Sequence, residues 1–267
     1  MSKEGISVLF LLVPWALDIL RALDKKEIYL NEHNLDALKL IHMGAQPIPP
    51  SVIERLKKYF PLVEYDTSYG LSEATGPGII NLGFENTDKI GSIGKPSIMC
   101  DARIVDEDKD VPIGEIGEII IKSNHIMKEY YKNPELTAKT LRNGWLYTGD
   151  LGRKDEDGFF YIVDRKKDLV ISGGENIYPV EIEEMLQKHE KIHDVAVIGT
   201  PDERLGEIVT AIIEPVLNKK LTEAEVNVYC EKNLPRYKRP RKIIFEKVPR
   251  NPTGKIQKPL LRAKYSD

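Results

Sequence analysis

The 267-residue chain reads as a multi-domain protein with a parallel α/β part, a small β-barrel-like part and a C-terminal α+β part. Three observations predict this. Residues 6–60 alternate strand-like and helix-like runs, the pattern of a parallel sheet flanked by helices. Residues 91–163 hold short β-rich runs punctuated by Gly and Pro, the signature of a small antiparallel or barrel-like unit. From about Asp168 onward, strands and amphipathic helices mix over about a hundred residues, an ordinary domain size. The corresponding boundaries are 1–88, 89–166 and 167–267.

Composition agrees with a globular chain. Apolar residues make up 41% and charged residues 30%, which sets aside disorder, collagen and coiled coil. The net charge of −3 gives no global pull toward nucleic acid, and none is expected as a partner. Cys100 and Cys230 stand alone with no metal or disulfide spacing, so a reducing, cytoplasmic location is expected.

The first element is the apolar run Ile6–Leu17 (ISVLFLLVPWAL). It is too short to span a bilayer, and its Lys3-Glu4 flank and lack of a small-x-small site argue against a signal peptide. It reads as a buried strand from Ile6 to Val13, broken by Pro14 and leading into a helix. Trp15–Leu23 has apolar residues at helical spacing, with Trp15 expected in the core in preference to the alternative that it faces a ligand pocket. Leu38–His42 is a short strand, and Pro50–Tyr59 is a helix. In the middle region Ala102–Val105, Gly117–Lys122, Trp145–Thr148 and Phe159–Val163 read as strands. Further on, Val180–His189 is an amphipathic helix with acids early and bases late, as a helix dipole prefers. Val195–Ile198, Ile208–Ile213 and Lys242–Glu246 are strands. Thr222 is the expected N-cap of a helix over Glu223–Asn233.

Several turns carry chemistry-bearing residues. Gly44 lies between a strand and a helix, where its missing side chain lets backbone approach a flat ligand. Tyr69-Gly70-Leu71-Ser72-Glu73 offers an aromatic face, a hydroxyl and a carboxylate, parts suited to a purine, a phosphate oxygen and a hard cation. Trp145–Asp150 ends a strand with a carboxylate, and Asp164–Asp168 supplies Arg165 nearby in sequence; such a pair can hold a ribose. Ser172–Asn176 is an open glycine-containing loop before the helix at Val180. Residues 232–264 hold twelve Lys/Arg against Glu246 alone, a local charge of +11 that suits a polyphosphate ligand, an RNA or a membrane surface. Within it, Asn251-Pro252-Thr253-Gly254-Lys255 presents one lysine on a turn. It is not a phosphate-cradling P-loop, whose spacing it lacks.

In this order YGLSE, GSIGKP, GEIGEI, WLYTGDLG, DRKKD, GGENIYPVEIE and NPTGKI resemble the motifs of the adenylate-forming superfamily of acyl-CoA synthetases, adenylation domains and luciferase. The resemblance runs from about residue 6 to 262. It implies a reaction that uses ATP, Mg²⁺ and CoA: a carboxylic acid is first activated to acyl-AMP with release of pyrophosphate, then passed to the CoA thiol. It implies that Gly44, Ala45 and Gln46 with Tyr69 sandwich adenine, and that Asp66, Thr67 and Ser68 offer polar groups to its edge. Gly70 and Ser72 belong to the same nucleotide-binding segment, Ser72 touching phosphate, while Glu73 holds Mg²⁺. Asp150 and Arg165 bind the ribose. Lys255 is the catalytic lysine, Lys167 the hinge of a mobile C-terminal lid, and Gly173, Gly174 and Glu175 line the CoA channel. Family enzymes are roughly twice this length, and their Ser/Thr/Gly-rich loop ending in Pro-Lys-Gly has no counterpart here. The chain therefore resembles a C-terminal half, with an N-terminal half or a second copy as expected partner and apolar surface left exposed along residues 6–80. A non-catalytic nucleotide-binding fragment is the alternative reading.

Overall fold

The computed structural model describes residues 3–44, 48–83, 89–252 and 254–265. The chain divides into two compact units, 1–162 and 163–267.

The first unit opens with β1 (Val8–Leu11) and α1 (Val13–Asp24), followed by β2 (Leu40–Met43), α2 (Pro50–Tyr59), β3 (Glu64–Leu71), β4 (Gly76–Asn81) and β5 (Lys95–Pro96). These strands form one sheet in the order β1-β2-β3-β4-β5. β1, β2 and β3 run parallel, as the strand–helix alternation predicts, and β4 and β5 are antiparallel additions. Both helices begin with Pro in the first turn, where its missing N–H costs nothing. Leu20 and Leu56 from the helices meet Ile41, Met43 and Tyr65 from the strands in a shared core.

β1 departs from the expected buried strand. Val8 and Phe10 are more than half exposed, because β1 is the edge of the sheet and the core beneath α1 and α2 takes Leu9 and Leu11 from its other side. Trp15, expected in the core, is 57% exposed. On α1 the core-facing stripe is Val13, Ala16, Leu20 and Leu23, and Trp15 falls off that stripe.

The second sheet of this unit is the β-rich stretch: β6 (Cys100–Asp106), β7 (Lys109–Asp110), β8 (Gly117–Ser123), then α3 (Pro134–Thr140), β9 (Leu141–Arg142), β10 (Trp145–Lys154) and β11 (Phe160–Arg165). It is a curled, half-barrel-like sheet of six strands ordered β11-β10-β8-β6-β7, with β9 on β10. Ile119 and Ile121 fill its core with Ile79 and Phe160.

The second unit starts within β11 and adds β12 (Val170–Ser172), β13 (Glu175–Ile177), α4 (Pro179–Gln187), β14 (Ile192–Asp202), β15 (Gly206–Pro215), α5 (Glu223–Asn233), β16 (Lys242–Phe245) and α6 (Lys258–Tyr265). Its sheet is ordered β13-β12-β15-β14, with β16 parallel to β15. Thr222 caps α5 as expected and forms a full capping box with Glu225. Ile182 and Leu186 of α4 pack on Val195, Val197 and Ala211 of the long β14–β15 hairpin. On the other face Leu261 of α6 joins Ala196, Ile198 and Ile212.

Candidate functional site

Each unit carries its own group of the residues singled out by sequence. In the first unit they cluster on β3 and the turn after it. Parallel pairing sets His42 of β2 directly opposite Asp66 of β3. Alternation then puts Ile41, Met43 and Tyr65 into the core beneath the helices and turns His42, Asp66 and Ser68 to the opposite face. There His42 Nδ1 lies 2.5 Å from Asp66 Oδ1, and Ser68 Oγ lies 3.2 Å from His42 Nε2. Phe10 stacks on the imidazole at 5.3 Å. Asp66 and Ser68, expected at the edge of adenine, thus already engage His42. Thr67 Oγ1 donates to the Ser92 carbonyl at 3.4 Å.

Gly44 follows β2 and is buried; a Cβ there would sit 3.5 Å from Ser68 Oγ. Ala45 and Gln46 lie outside the described residues. Tyr69 is buried, and its hydroxyl donates to Asp150 Oδ2 at 2.6 Å. Gly70 is required by close packing: a Cβ there would lie 2.2 Å from the Gly76 carbonyl oxygen. Ser72 and Glu73 form a 3-10 turn. Glu73 Oε1 accepts from the Tyr130 hydroxyl at 2.7 Å; burial first, then this carboxylate, pushes the tyrosine's ionisation above its usual value. Among the described residues no three His, Cys, Asp or Glu side chains gather as a metal cage. Glu73 would be a carboxylate donor for a hard cation such as Mg²⁺, which binds proteins through one or two carboxylates.

Asp150 does not end a strand, as its sequence context suggested. It lies inside β10, at an irregularity between Tyr147 and Leu151 in the pairing with β8. Gly149 adopts φ +73° there, donating its N–H to buried Glu118 at 3.0 Å. The bulge re-aims the Asp150 side chain without stopping the strand. Glu118 and Tyr130 are contributors that sequence reasoning missed. They sit in an otherwise apolar strand and a loop, and only the register brings them to the site.

In the second unit Arg165, Lys167 and Lys255 are all exposed. Lys167 sits in a 3-10 turn over Lys166–Asp168, whose buried Asp168 accepts from Arg262 at 2.7 Å. The stretch at Gly173 is a tight hairpin between β12 and β13 instead of an open loop. Ser172 pairs with Glu175, and Gly173 and Gly174 both have positive φ, +59° and +87°, as a two-residue turn matched to strand twist requires.

Lys255 is held on a hairpin of its own. Asn251 N–H donates to the Lys255 carbonyl, and Lys255 N–H to Asn251 Oδ1, both at 2.9 Å. Arg250 fastens this hairpin to β14 by two bonds to Asp194, at 2.6 and 2.8 Å, and also donates to the Gly254 carbonyl. Three residues beyond Lys255, buried Lys258 pairs with Glu183 of α4 at 2.9 Å, and Glu183 also accepts the Val197 N–H. Thr253 lies outside the described residues.

The +11 segment is far less free than its sequence suggested. Lys238, Arg239, Arg250, Lys258, Arg262 and Lys264 pair with Glu181, Glu231, Asp194, Glu183, Asp168 and Glu246. Half of its basic residues thus serve the packing of the unit itself.

Comparison with known proteins follows the same two parts. Residues 1–131 match the model of the AMP-binding enzyme family, and residues 181–255 match that of the AMP-binding enzyme C-terminal domain. A long-chain-fatty-acid–CoA ligase, FadD13 of Mycobacterium tuberculosis, is 42% identical over 84% of this chain and 44% of its own length. A 2-succinylbenzoate–CoA ligase of Bacillus cereus is 35% identical over 98% of this chain and 53% of its own. Among solved structures, ATP-bound MatB from Rhodopseudomonas palustris superposes with a TM-score of 0.88 at 31% identity, covering 98% of this chain and 51% of that one. MenE of Bacillus subtilis with its acyl-adenylate OSB-AMP gives 0.85 at 29% identity, over 99% and 52%. The chain spans about half the length of the relatives it matches. It belongs to the adenylate-forming superfamily of AMP-binding enzymes.

Proposed function

We propose that this chain supplies the adenylate-handling and lid parts of an AMP-forming acid–thiol ligase. The observation that carries the reading is the Tyr69–Asp150 hydrogen bond, which joins the YGLSE and WLYTGD segments into one surface. Gly44, Ala45, Gln46 and Tyr69 would take adenine, with Thr67 and Gly70 beside them, Asp150 and Arg165 the ribose, and Ser72 a phosphate oxygen. Glu73 would hold Mg²⁺, whose charge offsets that of the phosphates. Relatives solved with ATP, and one with ATP and magnesium, support this ligand set.

In the first step a carboxylate oxygen attacks the α-phosphorus of ATP, and the bond to the bridging oxygen breaks to release pyrophosphate. Lys255, an exposed ammonium on a clamped hairpin, would offset the negative charge that builds on the reacting oxygens. In the second step the CoA thiol gives its proton to water, its sulfur bonds to the acyl carbon, and the bond from that carbon to the phosphate oxygen breaks to release AMP. The two steps need different groups near one carbon, so the lid would turn at Lys167, withdrawing Lys255 and presenting Gly173, Gly174 and Glu175 to CoA. Three functional parts, 1–88, 89–166 and 167–267, follow from that division of labour. A cytoplasmic location fits the two free cysteines, and among the described residues no helix is long and apolar enough to cross a membrane.

The exposed Val8, Phe10 and Trp15 along β1 and α1 fit a partner that continues the sheet, either the relatives' other half or a second copy. A second reading is a nucleotide-binding fragment without turnover, holding adenine and ribose through Tyr69, Asp150 and Arg165, of which Tyr69 and Asp150 already form one polar surface. ATP–pyrophosphate exchange on the folded chain, across short, aromatic and long carboxylates, separates the two. Exchange supports the ligase, and its rate order names the acid. AMP binding without exchange supports the fragment. A folded chain that binds neither ATP nor AMP overturns both.

A further inference from the structure

The Asp66–His42–Ser68 row on the face of the first sheet opposite its helix-packed core has the connectivity of a nucleophilic relay. A carboxylate only accepts hydrogen bonds, so Asp66, 2.5 Å from His42 Nδ1, fixes the hydrogen on Nδ1. That leaves the lone pair of Nε2 directed at Ser68 Oγ, 3.2 Å away. The carboxylate orients the base, and the base faces the hydroxyl, each through the ring nitrogen that serine hydrolases use for it.

Three features make the row more than an incidental polar contact. It stands on rigid elements, His42 and Asp66 being register partners in β2 and β3 with Ser68 two residues on. Phe10 stacks on the imidazole and limits its rotation. Gly44 leaves space beside the hydroxyl that a larger residue would fill. None of the three side chains belongs to the core beneath the helices, and the row stays partly open, with His42 27% and Asp66 14% exposed.

We propose that Ser68 is a nucleophile toward activated acyl compounds, with His42 as its base and Asp66 as the orienting group, giving the chain an acyl-hydrolase activity. The Ser68 proton passes to His42 Nε2 as Oγ bonds to the acyl carbon. The bond from that carbon to an ester oxygen or thioester sulfur breaks, and the leaving alcohol or thiol takes the proton from Nε2. Water then attacks the acyl-serine, giving its proton to Nε2. The acid departs, and Ser68 Oγ recovers the proton. Under the ligase reading the natural acyl donor would be the thioester of the bound acid; this identity alone rests on that reading.

The test needs neither ATP nor a partner. The folded 267-residue chain is treated with a fluorophosphonate probe and digested for mass spectrometry, and hydrolysis of p-nitrophenyl butyrate is followed alongside. The expected result is an adduct on Ser68, with labelling and hydrolysis both reduced at least a hundredfold in Ser68→Ala and His42→Gln and lesser loss in Asp66→Asn. Ser68→Cys guards against a folding artefact. Its thiol should react with iodoacetamide at neutral pH at least tenfold faster than in the Ser68→Cys/His42→Gln double variant. A folded chain with no adduct at Ser68, hydrolysis unchanged in Ser68→Ala, or equal thiol rates with and without His42 overturns the proposal. Any of these leaves nucleotide binding, measured separately, to stand or fall by itself.

Discussion

Tyr69 and Asp150 lie 81 positions apart in the chain, yet the phenol donates to the carboxylate at 2.6 Å. This bond ties the end of β3 in the parallel sheet to the bulge of β10 in the curled one. Tyr69→Phe removes it while keeping the buried ring. A hydrogen bond to a charged group contributes about 1.5–3 kcal/mol when well buried, and the incomplete burial of Asp150 argues for the lower end. We expect a fall of about 1.5 kcal/mol in urea unfolding of the first unit. Asp150→Asn should weaken AMP binding at least tenfold by calorimetry; unchanged affinity would remove Asp150 from the ribose site.

Gly70 should tolerate no side chain. The atom a Cβ would meet is the Gly76 backbone oxygen at 2.2 Å, which cannot rotate away as a side-chain tip would. Gly70→Ala should cost about 3 kcal/mol or more. Gly149→Ala meets nothing within 4 Å and should cost only the strain of φ +73°, about 1–2 kcal/mol. Comparable losses for the two variants would contradict this ranking.

Lys258 and Glu183 form a buried pair beside the Lys255 hairpin. Removing one partner strands a charge, so Lys258→Met should destabilise the second unit by about 3–5 kcal/mol. The double variant Glu183→Leu/Lys258→Met should recover most of that loss, because an apolar pair avoids the desolvation of both ions. Guanidinium unfolding of the four corners of the cycle measures it. Additive losses would mean that the two side chains do not act as a pair.

Glu225 gives a pH signature. Its bond to Lys191, then those to Thr222, hold its pKa at about 2, below the usual glutamate range. A depressed acid stabilises the fold above its unfolded pKa and loses that contribution as pH falls through the folded one. The second unit's melting temperature should drop more steeply below about pH 4.5 in the natural chain than in Glu225→Gln, the range being the ordinary carboxylate one. Parallel curves down to pH 2 would show that the capping box carries no such charge effect.

Cys230 should be inert. Burial pushes its thiol up to about 11, so at pH 8 almost no thiolate is present. Ellman's reagent should leave it unmodified in the folded chain and modify it fully in guanidinium.

Much of the architecture was legible because periodicity and turn chemistry are local. Thr222 announced the α5 cap, and short apolar runs announced β8, β14 and β15 as strands. What failed was burial that depends on neighbours. Ile6–Val13 is apolar enough for a central strand, but nothing in its own residues says that β1 is an edge. Trp15 was misplaced for a related reason, since a helix stripe is fixed by what packs against it. Among the candidate site residues, motif order singled out Tyr69 and Asp150 in the first unit and Lys255 in the second. It did not reveal His42 opposite Asp66 or Glu118 beneath Gly149, because cross-strand register is written in no single segment.

The internal pairing of the basic end bears on kinetics. With half of its twelve cations committed to carboxylates of the same unit, the long-range field that steers a polyanion comes from the remainder. Encounter rates with nucleotides should therefore fall with ionic strength less steeply than a bare count of lysines and arginines suggests. The Arg250–Asp194 and Lys258–Glu183 pairs, less exposed than Lys264–Glu246, resist salt better than it does, and Arg250 keeps the Lys255 hairpin in place at ionic strengths where steering has already faded.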